Sequence, residues 1–280
     1  METSNAMKAI SNALEAIESM NLSGTDGDDL LEGKKGDDIL DGGAGNDTLK
    51  GAIGDDLLLG REDNDELYGA NGVDNLRGNS GDDGLYGGNG NDQLLAGGGN
   101  DGLFGRNGDD YLAGGEGNDF LTGGYDNDTL VGSGGTDWLF GDDGHDVLKG
   151  DADNDLLLGG NGNDRIDGDD GDDVLKGGEG KDTLSGGLGR DVISGGLGED
   201  IFVLMANGSE NVDVIRDFDV NTDALDLLDI EVSEVGIGNN SAGNSSIITD
   251  GNEEPIAVLF GMPDLAIEDI MFVGSSNQLA

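Results

Sequence analysis

An aspartate stands at every ninth residue from Asp29 to Asp200, twenty times in succession, with no insertion or deletion. Units that repeat this strictly must stack and meet the same neighbours each time, so the period dictates the architecture. Residues 24–203 divide into twenty nonapeptides. Position one is glycine in nineteen of them, Ala96 being the exception, and position four is glycine in seventeen and aspartate at Asp63, Asp126 and Asp153. Position six is always aspartate: Asp29, Asp38, Asp47, Asp56, Asp65, Asp74, Asp83, Asp92, Asp101, Asp110, Asp119, Asp128, Asp137, Asp146, Asp155, Asp164, Asp173, Asp182, Asp191 and Asp200. Position eight is leucine in seventeen, with Ile166, Ile193 and Phe202 in the others.

Positions one to six read as a turn whose glycines supply positive φ angles. Aspartate at position four is compatible, because a short polar side chain tolerates that conformation. Positions seven to nine read as a very short strand with position eight pointing inward. Two units make one coil of turn, strand, turn, strand, and coils stack at about 4.8 Å per layer. The predicted fold class is all-β: a right-handed parallel β-roll of twenty nonapeptide repeats with a thin leucine core, a short N-terminal capping helix and a β-rich C-terminal cap. The expected domains are 1–23, 24–203 and 204–280. In the first, Met7, Ile10, Leu14 and Ile17 trace an apolar helical stripe, with Ser4 or Asn5 as N-cap. A cap over the open end of the solenoid suits this helix better than a membrane-surface role, since its polar face has no basic cluster. In the last, "NVDVIRDFD", "SSIITD" and "PIAVLF" read as ordinary strands.

The net charge is −48 and only 34% of residues are hydrophobic, a balance that normally gives disorder. Such acidity argues against nucleic acid and anionic membranes as partners. No apolar run approaches the roughly 18 residues of a membrane-spanning helix. The first twenty residues lack the basic start and apolar stretch of a cleaved signal peptide. With no cysteine, neither disulfides nor thiolate–metal bonds staple the chain. Stacking makes the problem worse, because aspartates about 4.8 Å apart repel by roughly 1 kcal/mol even at the dielectric of water. A hard divalent cation held by carboxylates and turn carbonyls reverses that repulsion. About six oxygens per ion suit Ca²⁺ better than Mg²⁺, which keeps its waters and wants stricter octahedral geometry.

The unit resembles the G-G-x-G-x-D-x-U-x nonapeptide of the RTX (repeats-in-toxin, haemolysin-type) calcium-binding proteins, a repeat signature in its own right. The resemblance covers residues 24–203 and implies a parallel β-roll with Ca²⁺ between a turn and the next turn on the same edge. The implied ligands are the position-six carboxylates of units n and n+2, such as Asp29 with Asp47, completed by turn carbonyls. Twenty units on two edges leave up to about 18 such pairs, and that many ions would bring the net charge to about −12. Asp63, Asp126, Asp153 and Ala96 depart from the pattern, which questions the sites beside them. Residues 204–280, with "NVDVIRDFDVNTDALDLL" and "DLAIEDIMFVG", resemble the C-terminal domain of bacterial type I secretion substrates. That resemblance implies an extracellular, secreted protein that engages the type I secretion machinery. "DFDVNTD" superficially resembles an EF-hand loop but lacks its sixth-position glycine and twelfth-position glutamate, so an acidic turn is expected.

Nothing in the sequence supports catalysis. The one histidine, His145, sits at position five where other units carry Asn or Asp, and reads as a turn filler. H-E-x-x-H and G-x-S-x-G are absent, and the G-x-G-x-x-G matches are repeat turns. A pore-forming toxin would need long apolar helices, and an ice-binding roll a regular outward array. One feature exceeds calcium binding: Tyr68, Tyr86, Phe104, Phe120, Trp138 and Phe140, half of the chain's aromatics, fall on outward positions of one sheet. Such a stripe is either a seam under the terminal segments or a docking surface for a polysaccharide or a second copy. The expected function is a secreted, non-enzymatic calcium-binding element that folds on Ca²⁺. The alternative is an accessory module of a secreted enzyme such as a peptidase, lipase or polysaccharide-modifying enzyme.

Overall fold

The computed structural model describes residues 19–205, 212–228, 236–239, 245–249, 255–260, 262 and 270–273. The expected N-terminal helix lies outside these residues. Every described element is a β-strand. The chain falls into two compact units, residues 1–128 and 129–280, a division inside the repeat array.

In the first unit two parallel sheets are wound from alternate repeats, each strand pairing with the one 18 residues away. The register aligns like with like. Leu31, Leu49, Leu67, Leu85, Leu103 and Leu121 form one column. Leu22, Leu40, Leu58, Leu76, Leu94 and Leu112 form the other. From Leu40 onward these leucines are wholly buried, so the core is one side chain deep from each sheet. The second unit winds in the same way, with Leu130, Leu148, Ile166, Leu184 and Phe202 in one column and Leu139, Leu157, Leu175 and Ile193 in the other.

The strands differ from the expected three-residue elements. Most are six residues long, as in Glu66–Asn71 and Leu156–Asn161, running from position seven of one repeat to position three of the next. Position one lies inside the roll and is nearly always glycine, and the one alanine there, Ala96, is buried within a strand of the same length, Gln93–Gly98. Pairing resumes at positions two and three, as in Ala70↔Gly88 and Asn71↔Asn89. Position two also takes positive φ, and not only where it is glycine: Ala52, Arg61, Ala70 and Arg106 adopt it at 86–97°. Asp63, Asp126 and Asp153 take the position-four glycine conformation at 72–76°, so these departures preserve the turn.

The nine-residue period ends at Val203, but parallel pairing does not. Ile201–Met205 pairs with Ala224–Leu228, which pairs with Met271–Val273. On the other sheet, Val192–Leu197 pairs with Asp213–Ile215, and that strand with Pro255–Phe260. Antiparallel strands Ser245–Thr249 and Gly236–Asn239 then follow on that edge. Phe202 and Phe218, both buried, meet at 5.8 Å where the leucine columns give way.

A core this thin leaves no room to repack around a lost side chain. Leu85→Ala in the calcium-saturated protein is expected to lower stability by about 2–5 kcal/mol, read by thermal or denaturant unfolding. A loss under about 1 kcal/mol would mean that the leucine columns are not the core.

Candidate metal centre

Each position-six aspartate is placed by the turn before it and the strand after it. All of them from Asp38 to Asp200 are buried, at 4% exposure or less, and Asp29, on the first coil, is half-buried. The backbone N–H of most of them donates to Oδ1 of the aspartate 18 residues on. Asp29 to Asp47, Asp47 to Asp65 and Asp65 to Asp83 are each 2.8 Å in the first unit. Asp155 to Asp173 and Asp164 to Asp182 are 2.8 Å in the second. Aspartates of repeats n and n+2 are therefore linked by a hydrogen-bonded rung from backbone N–H to carboxylate, repeated within each unit.

That rung occupies one carboxylate oxygen and leaves the other. Oδ2 of Asp47, Asp56, Asp65, Asp74, Asp83, Asp92, Asp101 and Asp110 is buried with no hydrogen-bond partner. The same holds for Asp155, Asp164, Asp173, Asp182 and Asp191. A buried, unpaired anionic oxygen is among the costliest groups a fold can hold, and such groups are normally paired or bound to metal. The position-one glycine explains where Oδ2 points. A Cβ on Gly150 would lie 2.7 Å from the carbonyl oxygen of Gly168 and closer still to Oδ2 of Asp155. Gly159 repeats this with the carbonyl of Gly177, at 2.7 Å, and Oδ2 of Asp164. Glycine is required here for space rather than for positive φ, which corrects the expectation that the turn glycines all serve the backbone. Carboxylate and carbonyl oxygens thus converge on a space with no side chain in it, a donor set suited to calcium. Among the described residues no three carboxylate or imidazole groups gather at one point, so backbone oxygens must supply much of any shell.

The first rungs are finished differently. Oδ2 of Asp29 accepts the Thr25 N–H at 2.6 Å, and Oδ2 of Asp38 accepts the Lys34 N–H at 2.8 Å. These two oxygens, unlike the inner ones, have protein partners. Ala96 places a methyl group where the other repeats have none, although Asp101 in its repeat keeps its rung to Asp83.

Three features went unread in the sequence. Position five carries a second ladder, in which a side-chain oxygen accepts the position-five N–H of the next coil: Asn46 from Asn64 at 3.0 Å, Asn64 from Asp82 at 2.8 Å and Asp82 from Asn100 at 2.8 Å. The Asn/Asp bias at that position was its trace. His145 serves the same ladder, its Nδ1 accepting the Asn163 N–H at 2.8 Å. Asp213 and Asp223 lie outside the repeats yet hold rung positions: Asp191 N–H reaches Asp213 Oδ1 at 3.2 Å and Asp200 N–H reaches Asp223 Oδ1 at 3.1 Å. "Asp-Val-Ile" and "Asp-Ala-Leu" keep the D-x-U half of the motif, which is the signal that marks them. The stretch read as an acidic turn is one, with the Thr222 and Asp223 N–H groups donating to the Asp219 carbonyl.

The aromatic residues stand where the period places them. In the first unit Tyr68 and Tyr86 stack at 4.7 Å, and Tyr86 and Phe104 at 5.0 Å, with rings nearly parallel. Phe120 follows, tilted, at 5.8 Å from Phe104. In the second, Trp138 is 52% exposed.

Burial pushes the column carboxyls up, against the opposing pull of the rung N–H. Asp74, Asp83, Asp92, Asp101 and Asp110 reach about 7 and Asp65 about 6 in the first unit. Asp155 and Asp173 reach about 7, and Asp164, Asp182 and Asp200 about 6, in the second. Unfolded aspartate titrates near 3.9, so between about pH 4 and 7 the metal-free fold binds more protons than the unfolded chain. In chelator, stability should therefore rise as pH falls from about 7 to about 4, while calcium affinity falls over the same window because protons compete for the same oxygens. Circular dichroism across pH, in chelator and in calcium, checks both; a chelated fold strengthened by raising pH would contradict the burial argument. Gly159→Ala should cost about 1–3 kcal/mol in calcium and Ala96→Gly should stabilise, by thermal melts.

Overlapping segments of the chain match the model of the RTX calcium-binding nonapeptide repeat (4 copies): 23–58, 50–85, 68–103, 104–139, 131–166, 140–175 and 167–202. No curated protein matches. Among solved structures, the AlgE6R3 subunit of the Azotobacter vinelandii mannuronan C5-epimerase is 24% identical with a TM-score of 0.21, over 48% of this chain and 80% of that one. The extracellular lipase LipA from Serratia marcescens is 15% identical with a TM-score of 0.29, over 78% of this chain and 45% of the lipase. At these scores neither likeness carries an argument, and the chain spans less than half of the lipase. Matched by the family model from residue 23 to residue 202, the chain belongs to the RTX calcium-binding nonapeptide repeat family.

Proposed function

We propose that this protein is a secreted, non-catalytic element whose calcium-driven folding builds an extracellular structural or binding roll. The observation that carries the reading is the run of buried Oδ2 atoms with no protein partner. The residues that would hold each ion are the position-six aspartate of one coil and the position-one carbonyl of the next, as with Asp155 and Gly168. Bound calcium would supply the positive charge that these oxygens coordinate. The chain's own residues then do the rest: the rung hydrogen bonds fix each carboxylate, the position-one glycine leaves the space, and the leucine columns exclude water. Up to about 18 ions fit the number of inter-coil pairs on two edges. Outside the cell, where calcium is abundant, binding energy becomes folding energy.

Residues 204–280 are assigned the secretion role on their resemblance to type I substrates. The rival reading, an accessory module of a secreted enzyme, differs in needing a catalytic partner; restored activity on mixing with one would favour it. For the aromatic row, self-association is favoured over polysaccharide. Tyr86 has a neighbouring ring on each face, which leaves neither face free to stack on a sugar.

Three measurements test this reading. Far-UV circular dichroism should show a disordered chain in chelator at pH 8, a β spectrum on adding calcium, and a weaker response to magnesium. A full β spectrum in chelator at that pH would refute calcium-driven folding. Deleting residues 204–280 should abolish appearance in the medium, and undiminished secretion would refute the secretion role. Replacing Tyr86 and Phe104 with serine should abolish concentration-dependent association by light scattering while calcium-induced folding persists. A lowered melt with unchanged association would instead make the row a structural seam.

A further inference from the structure

The nonapeptides stop at Val203, yet the aspartate ladder takes two more steps, through residues that no repeat contains. The strand-entry bond of every coil, from position seven back to the previous aspartate's carbonyl, is also kept: Val214 N–H to Asp191 and Ala224 N–H to Asp200, both at 2.8 Å. Asp213 and Asp223 are 2% and 3% exposed, and Ile215 and Leu225 behind them are fully buried in the position-eight columns. The spacings are 22 and 23 residues rather than 18, and residues 204–212 and 216–222 lack the nonapeptide pattern.

The next rung on each edge is apolar. Asp213 aligns with Ala257, while on the other edge Ala224 aligns with Met271, so the place after Asp223 falls to Ile270. Both columns of acidic side chains therefore finish at these two aspartates. Asp223 is finished as Asp29 and Asp38 are begun, its Oδ2 accepting an N–H four residues back, from Asp219, at 2.8 Å. Asp191 is not so finished. Its Oδ2 takes no backbone N–H and points at the space beside Gly186, and its carboxyl meets that of Asp213.

We propose that Asp213 is the closing member of a calcium column, so that calcium at Asp191 fastens residues 212–215 onto the last coil, while Asp223 closes the other edge with its rung and the Asp219 N–H. The inference rests on the reading that position-six aspartates bind calcium, and it extends that role to a residue outside the motif. The C-terminal segment is then not a passive lid. It joins the roll through the same carboxylate-to-cation link that joins coil to coil, and its docking reports that the final site is filled.

The test is peptide-resolved hydrogen exchange of the full-length protein across a calcium titration, with bound ions counted by equilibrium dialysis. Asp213→Asn keeps an oxygen for the rung but removes the charge, and Asp92→Asn does the same at an inner repeat. Asp213→Asn should raise the calcium concentration that protects 191–193 and 213–215 by tenfold or more while leaving Glu66–Asn71 unchanged. Asp213→Asn should bind about one fewer ion, and Asp223→Asn should leave the count unchanged. If Asp92→Asn shifts protection around Asp74 but Asp213→Asn shifts nothing at 213–215 and the ion count holds, the proposal is wrong and the wider reading stands. If neither variant moves any midpoint, aspartate ligation itself fails.

Discussion

The structure depends on the desolvation of a carboxylate. One oxygen of most column aspartates is satisfied by an N–H from the preceding coil, and the other, at most rungs, is buried against glycine and carbonyl oxygen. Burying an ion without a partner costs several kcal/mol even after relaxation, and here the cost recurs at every coil. Two leucines per coil cannot outweigh it. The same arrangement becomes favourable once a hard cation enters, because the carboxylates and carbonyls that repel one another are then its ligands. On the proposed reading fold and metal form one equilibrium, and the twenty position-six aspartates are about a third of the chain's 61 acidic residues.

Much else follows from holding that oxygen in place. Position one must lack a side chain because Oδ2 and a carbonyl occupy the volume a Cβ would take, as at Gly150 and Gly159. Position four needs a left-handed backbone, which Asp63 and Asp126 provide as well as glycine does. Position five adds a parallel ladder of amide and carboxylate acceptors that holds successive turns in register, so that His145 and Asn163 make the bond that Asn46 and Asn64 make elsewhere. The first rungs are sealed from within, Thr25 and Lys34 supplying the N–H groups that substitute for a cation.

The sequence made the repeating part legible because a strict period carries its own three-dimensional neighbours. Knowing that Asp29 recurs at Asp47 is knowing that the two are adjacent, and the leucine columns and the stacked Tyr68 and Tyr86 follow by the same logic. What escaped lacks that property. The six-residue strands arise from pairing at positions two and three across an intervening glycine, which no three-residue pattern announces. Asp213 and Asp223 were hidden because the segments before them differ in length and composition from the repeats, so only the D-x-U remnant survives of the motif. The role of glycine at position one was misread for a physical reason: its conformation is ordinary, and its value lies in what another residue places beside it.

The most direct test of the central claim is to locate the metal. Crystals grown in calcium and measured at long wavelength should give anomalous density beside Oδ2 of the column aspartates, in two rows with peaks about one β-layer, ~4.8 Å, apart. Ions seated between the aspartate of one coil and the position-one carbonyl of the next would confirm that calcium fills the space those atoms define. Peaks confined to exposed acidic turns, with Oδ2 of residues such as Asp92 and Asp164 still unpaired in a folded roll, would contradict it.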